Sequence, residues 1–302
     1  MWFICSIITM LIWGFAELFY KKGAKPDEKY SHLKITICVG LVMGIHAIFT
    51  LLTNDVNYDY VNLIKYLPVS MLYILSMSFS YFGMRFLAES ISDPIENIAG
   101  AITAILCFFI LKQTMSALSL VSVILIIIGV VLLGVFEAKD INGRTKKIGK
   151  RLAIISFCMP FLYAILDGTG SFLDAYFLEL ETTPLINVTE ANIELVANIS
   201  YELTFLIVAL ILTIFIKLKK EKIEILKQKE KIIAAVLETV GQFTYVFAMS
   251  GNAIIAAPII SSVCVVSVIL SRIFLKEKLN VKQYVAIAIV ILGILMLSVM
   301  DA

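Results

Sequence analysis

The chain has 302 residues, of which 60% are hydrophobic and only 16% charged, with a net charge of +2 and a mean hydropathy of +0.96. A soluble chain of this length carries roughly a quarter of its residues as charges, so lipid rather than water is the main solvent, and neither the balance nor the pattern suggests a nucleic-acid partner. Cys5, Cys38, Cys107, Cys158 and Cys264 are widely spaced within apolar runs beside only two histidines, so they read as free thiols, with no metal site and no cofactor expected.

A hydrocarbon core about 30 Å thick takes about 20 apolar helical residues. Cutting the chain where polar residues interrupt such runs predicts ten transmembrane helices: 2–20, 34–52, 63–86, 93–111, 118–136, 151–173, 194–216, 232–250, 253–275 and 281–300. The first run has no basic residues before it and no small-residue cleavage site after it, so it reads as a retained helix and not a secretory leader. Continuous apolar runs of this length favour helices over barrel strands, which alternate over about ten residues. The fold class expected is therefore an all-α integral membrane protein.

Numbering the connecting loops in order, the odd ones and their flanks carry 23 of the 25 Lys and Arg, and only Lys65 and Lys112 fall on the other side. The positive-inside rule then puts the odd loops in the cytoplasm and both termini outside. The acidic loop 175–193, without Lys or Arg, falls outside. An offset of 164 pairs Pro94 with Pro258, Lys112 with Lys276, Gly129 with Gly293, and Phe79 and Tyr81 with Phe243 and Tyr245. Two halves of five helices follow, 1–138 and 151–302, joined by a cytoplasmic linker 139–150. An odd helix count per half makes the second half inverted, an arrangement that places a solute site near the midplane between the halves.

The run NAIIAAPIISSVCVVSVILSRIFLKEKLN (252–280) followed by QYVAIAIVILGILML is similar to the closing motif of EamA-type members of the drug/metabolite transporter superfamily. DPIENIAGAITAILCFFILKQ followed by VILIIIGVVLLGVF resembles the first copy of that motif, and Trp13-Gly14 resembles the WG of the family's opening helix. The first copy departs in having Lys112-Gln113 where a Glu usually follows the lysine, and in having Asp93 and Glu96 around its proline. The resemblance implies a ten-helix secondary carrier of amino acids, other metabolites or drugs, with a central cavity lined by helices 1, 3, 4, 6, 8 and 9. On helix 3, Ser80 and Tyr81 become candidates.

An ionisable side chain inside a span costs several kcal/mol, roughly 2.5 to 3.5 on insertion scales, so each needs a partner, a cavity or a function. In chain order, Trp13, Glu17 and Tyr20 share a face of helix 1, although Glu17 could instead pair with Lys21 one turn on. His46 in helix 2 reads first as a hydrogen-bonded core histidine. Arg85 is a topology anchor near enough to Glu96 to form a gate pair. Helix 4 presents Glu96, Asn97 and Gly100, and helix 9 presents Ser261 and Ser262. Helix 6 offers Tyr163, Asp167, Ser171 and Asp174 on one face, with Asp167 the more interior acid, either a cavity residue or a structural acceptor. In helix 7, Glu202 lies about 12 Å in from its boundary, as a structural partner or a pathway group. Glu238, Gln242 and Tyr245 follow i, i+4, i+7 spacing in helix 8.

The substrate-binding candidates are thus Trp13, Glu17, Ser80, Tyr81, Glu96, Asn97, Asp167, Glu238, Gln242, Tyr245 and Ser262, with Asp167, Glu202 and Glu238 as proton-coupling candidates. Acids outnumber bases inside the spans, which suits a cationic or zwitterionic solute. No phosphate-binding loop, nucleophile elbow or metal-helix motif is present, so the expected function is a gradient-driven permease or exporter of a small polar metabolite and not an enzyme. A membrane-embedded small-molecule receptor is the first alternative and an intramembrane enzyme the second. The Lys- and Ile-rich composition points to a bacterial inner membrane.

Overall fold

A chain surrounded by lipid must satisfy its backbone N–H and C=O groups within each segment, which favours helices throughout. The computed structural model describes residues 1–54, 56–87, 92, 95–139, 150–223, 228–274 and 279–300, and every regular element among them is helical. They are α1 (Trp2–Gly23), α2 (Ser31–Thr53), α3 (Val61–Lys65), α4 (Leu67–Gly83), α5 (Ala99–Phe109), α6 (Ala117–Lys139), α7 (Lys150–Leu178), α8 (Ile193–Leu218), α9 (Lys229–Ser261), α10 (Val263–Phe274) and α11 (Val281–Met300). Five stretches are long and apolar enough to cross a membrane by length and composition, and α4, α5, α6 and α11 add shorter apolar segments. Large side chains such as Ile45, Phe49, Leu52, Ile211 and Ile214 point outward, as lipid requires and water would penalise. Asp93, Pro94, Lys276, Lys278 and most of the linker expected at 139–150 lie outside the described residues.

Three elements differ from the runs read in the sequence. The third run is divided at Tyr66 into α3 and α4, with Pro68 in the first turn of α4, where its missing N–H removes no helical bond. In the fourth run a turn at Asn97 and Ile98 separates helical Ile95 and Glu96 from α5, which starts at Ala99. The 42-residue stretch Lys229–Leu270 is folded back on itself at Asn252, whose φ of −165° and ψ of 76° are not helical.

The reversal is read from what α1 touches. Along its first limb, Gly251 abuts Trp2, Gly241 abuts Trp13 and Lys231 abuts Gly23, an antiparallel register. Along the second limb, Met10 meets Ser262 and Gly14 meets Val266, a parallel one. The two limbs therefore run in opposite directions beside the same helix, so the sequence cut before residue 253 falls at a real turn. The second limb breaks again at Ser262, shortly after Pro258, which removes one helical N–H; at the break the Ser262 backbone N–H and hydroxyl both donate to the Ile259 carbonyl.

Small residues let these helices approach closely. A Cβ on Gly40 would sit 2.3 Å from the Phe205 carbonyl oxygen and 2.7 Å from the Ala209 side chain, which locks α2 to α8. A Cβ on Gly14 would lie 2.5 Å from Val266, and one on Gly168, 154 residues on, would lie 2.8 Å from Ile102, the residue 164 before Val266. In the α6–α11 pair, a Cβ on Gly129 would lie 2.5 Å from Val290 and one on Gly293 2.8 Å from Ile126, approaches that interchange under the same offset of 164.

The bundle has two chemically different faces. On the basic face Glu28 holds Lys34 at 2.6 Å and Lys231 at 2.7 Å, and Arg85 donates to the carbonyls of Pro26 and Glu28 at 3.2 and 2.8 Å. On the acidic face Asn62 exchanges two hydrogen bonds with the backbone of Ile186, Gln113 reaches Glu179 and Ser250 reaches Glu194. Burial pushes the Glu28 carboxyl up, but the hydrogen bonds and charges of Lys231 and Lys34 outweigh it and hold the group at about 2.

Two outcomes follow from this packing. Gly40→Val should cost about 1–3 kcal/mol, because the backbone oxygen it strikes cannot rotate away; thermal melting in detergent should show the loss, whereas outward-facing Phe49→Ala should melt close to wild type. Because its folded pKa is depressed, Glu28 adds stability that is complete above its ordinary 4.5 and lost as the pH falls toward about 2. The melting difference between wild type and Glu28→Gln should therefore be constant from pH 7 to 5 and shrink below that; a difference that grows in acid would contradict the ion-paired geometry.

Candidate functional site

A cavity of about 110 Å³ lies inside the bundle between α1, α4, α5, α7, α8, the two limbs of α9 and the start of α10. That is room for several waters, and its walls are polar enough to hold them. The sequence positions each wall by helical period. Trp13, Glu17 and Tyr20 come from one face of α1, Tyr163, Asp167 and Ser171 from one face of α7, and Glu238, Gln242 and Tyr245 from one face of the first limb of α9. Helix α4 adds Tyr73, Met77, Ser80, Tyr81 and, just beyond its end, Met84.

Carboxylates and phenols dominate the contacts. The Tyr20 hydroxyl donates to Glu238 Oε2 at 3.2 Å, Ser80 and Ser92 donate to the two oxygens of Glu96 at 2.8 and 2.7 Å, and Ser76 donates to Asp167 Oδ1 at 3.3 Å. The Trp13 ring stacks on Tyr245 with centroids 5.2 Å apart, and its indole N–H donates to the Glu238 carbonyl. Tyr20 and Tyr81 lie ring to ring at 4.7 Å. No Lys, Arg or His is among the described lining residues.

The two ends of the cavity differ. Toward the acidic face, the buried phenols of Tyr73 and Tyr245 meet at 2.5 Å and share the Ser171 hydroxyl. Beyond them Tyr66 donates to Asp174, and one turn further out Asn62 clasps Ile186 of the acidic loop. Toward the basic face, Glu17, Met84, Asn97 and Tyr163 are only partly buried. The described geometry is closed on the acidic side and looser on the basic side.

Of the residues singled out in the sequence, Trp13, Glu17, Ser80, Tyr81, Glu96, Asn97, Asp167, Glu238, Gln242 and Tyr245 all line this one cavity. Ser262 does not; its hydroxyl turns to Ile259 and Met10 at the helix break, and Ser261 lines the wall instead. Glu202 is fully buried against His46, whose Nδ1 lies 2.8 Å from both carboxylate oxygens, between α2 and α8 and outside the lining. Arg85 directs its guanidinium to loop carbonyls and to His32. Tyr66, Tyr73 and Ser76 carried no weight in the sequence reading, although phenols and hydroxyls inside an apolar run were the available signal.

A model of the EamA-like transporter family matches residues 1–135 and 183–299. An uncharacterized protein of Methanocaldococcus jannaschii is 39% identical over 145 residues, which are 47% of this chain and 94% of that protein. A crystal structure superposes with a TM-score of 0.67 at 10% identity, covering 99% of this chain and 96% of the other, a likeness of fold alone.

The chain has two tryptophans, so Trp2→Phe leaves Trp13 as the sole indole. In liposomes its emission should be quenched by acrylamide and protected from lipids with brominated chains. The opposite pattern would place the indole against lipid and not in a hydrated cavity.

Proposed function

This chain belongs to the EamA-like transporter family, and on that premise we propose that it is a secondary carrier of a small polar metabolite, such as an amino acid or amine, working by alternating access. The family is one of membrane transporters, which fits a carrier and not an enzyme. The observation that carries the reading is the polar cavity itself. A pocket bordered by Glu17, Glu96, Asp167 and Glu238 inside an otherwise apolar bundle is costly unless the polar groups serve a solute or its pathway.

The proposed architecture is ten spans in two inverted halves, 1–138 and 151–302, joined by a linker on the basic face. The matched glycine approaches support it, since Gly14 against Val266 and Gly168 against Ile102 are one approach made twice, the glycines lying 154 residues apart and their partners 164. The archaeal relative supports it too, because 145 residues make up nearly all of that protein and about half of this one. With the basic face cytoplasmic in a bacterial plasma membrane, the described arrangement is closed to the outside by the Tyr73–Tyr245–Ser171 cluster and the Tyr66–Asp174 bond. Opening outward requires those contacts to part.

Asp167 and Glu238 are the proposed proton-exchanging groups, since each is a carboxylic acid on the cavity wall. Protonated, either one loses its charge and its hold on a solute. Glu202, bonded to His46 away from the wall, has no part in this scheme.

Counterflow in proteoliposomes tests the reading. Solute-specific exchange should be seen with wild type and fall at least about tenfold in Asp167→Asn and Glu238→Gln, proteins whose melting midpoints stay near wild type. Conversion of the solute would instead indicate an enzyme, and saturable binding without flux a receptor.

A further inference from the structure

We infer that the cavity selects small organic cations, amines or quaternary ammonium compounds with an apolar body, over zwitterionic amino acids of the same skeleton. The inference rests on the carrier reading above and narrows it.

Charge comes first. Asp167 and Glu238 border one cavity of about 110 Å³, and no Lys, Arg or His is among its described lining residues. The hydroxyls that reach Glu238 and Asp167, from Tyr20 and Ser76, are neutral donors, so they orient the carboxylates without cancelling their charge. A bound cation supplies that counter-charge. An amino acid brings the same ammonium together with a carboxylate, which would lie among like charges with no cationic side chain on the described wall to receive it. In a narrow cavity walled by low-dielectric helices this repulsion acts as a selection against the zwitterion.

Aromatic surface is the second, independent feature. Trp13, Tyr20, Tyr81, Tyr163 and Tyr245 border the same space as the carboxylates, and two of their pairs are already in ring contact, Trp13 with Tyr245 and Tyr20 with Tyr81. Electron-rich ring faces attract ammonium groups and shelter the hydrocarbon attached to them, the combination that recognises alkylated amines. Third, Tyr81 is buried on this wall (2% exposed), and its hydroxyl faces the Tyr20 phenol without a bond of full hydrogen-bond geometry among the described residues. A buried phenol in that state has capacity left for a ligand N–H or hydroxyl.

The test uses matched pairs that differ only by a carboxylate: phenethylamine against phenylalanine and tyramine against tyrosine, with tetramethylammonium and a neutral sugar alongside. Full-length protein in proteoliposomes should exchange each amine with at least about tenfold higher efficiency than its amino acid, and Glu238→Gln should narrow that ratio while the melting midpoint stays near wild type. Exchange of the amino acids equal to or better than the amines overturns the inference and leaves the carrier reading standing. Exchange of the sugar without any amine does the same. Absence of exchange for every solute overturns both.

Discussion

Hydrocarbon offers no hydrogen bonds and no screening, and the rest of the structure follows from that. Backbone groups are satisfied within helices, and polar side chains inside the spans find partners or line a cavity. Glu96 gathers two serine hydroxyls, Glu202 is joined to His46, and Asp174 receives Tyr66. In water each of these would be a minor contact. In lipid they decide which helix faces meet.

Association between helices cannot rely on the hydrophobic effect here, since lipid chains are as apolar as leucine, so fit and close approach take its place. The glycines of α1, α2, α5, α6, α7 and α11 sit where a neighbour's backbone or branched side chain comes within a Cβ's reach. Helix α1 is the clearest case, lying against both limbs of α9 in opposite senses. This puts Trp13 and Glu17 beside Glu238 from the first limb and Ser261 from the second. The turn at Asn252 is thus as much a part of the site as any carboxylate.

The same economy of space explains the asymmetry of the cavity. Phenols are long enough to bridge helices and polar only at the tip, so Tyr66, Tyr73 and Tyr245 close the acidic side with a few hydroxyl contacts while their rings fill apolar volume. Contacts of this kind are few and include no ion pair, which suits a closure that must open and reform. The basic side is held at its rim by ion pairs around Glu28 and leaves the wall residues near Glu17 and Asn97 partly exposed.

Much of this was legible along the chain, for definite reasons. Apolar run length and the placement of Lys and Arg report the solvent directly, so the membrane class and the two chemically distinct faces needed no coordinates. Helical period put Glu238, Gln242 and Tyr245 on one face, and likewise Trp13, Glu17 and Tyr20, because that geometry is local. What periodicity does not contain is the direction each face points. His46 and Glu202 lie 156 residues apart and nothing local couples them; Ser261 and Ser262 are neighbours in sequence, yet a helix break sends one to the cavity and the other to Ile259. The rotation of each helix about its axis is set by which glycine meets which side chain, a property of pairs of distant residues. The sequence by itself therefore determined the solvent, the segments and their polar stripes, and only tertiary packing decided that those stripes converge on one enclosed space.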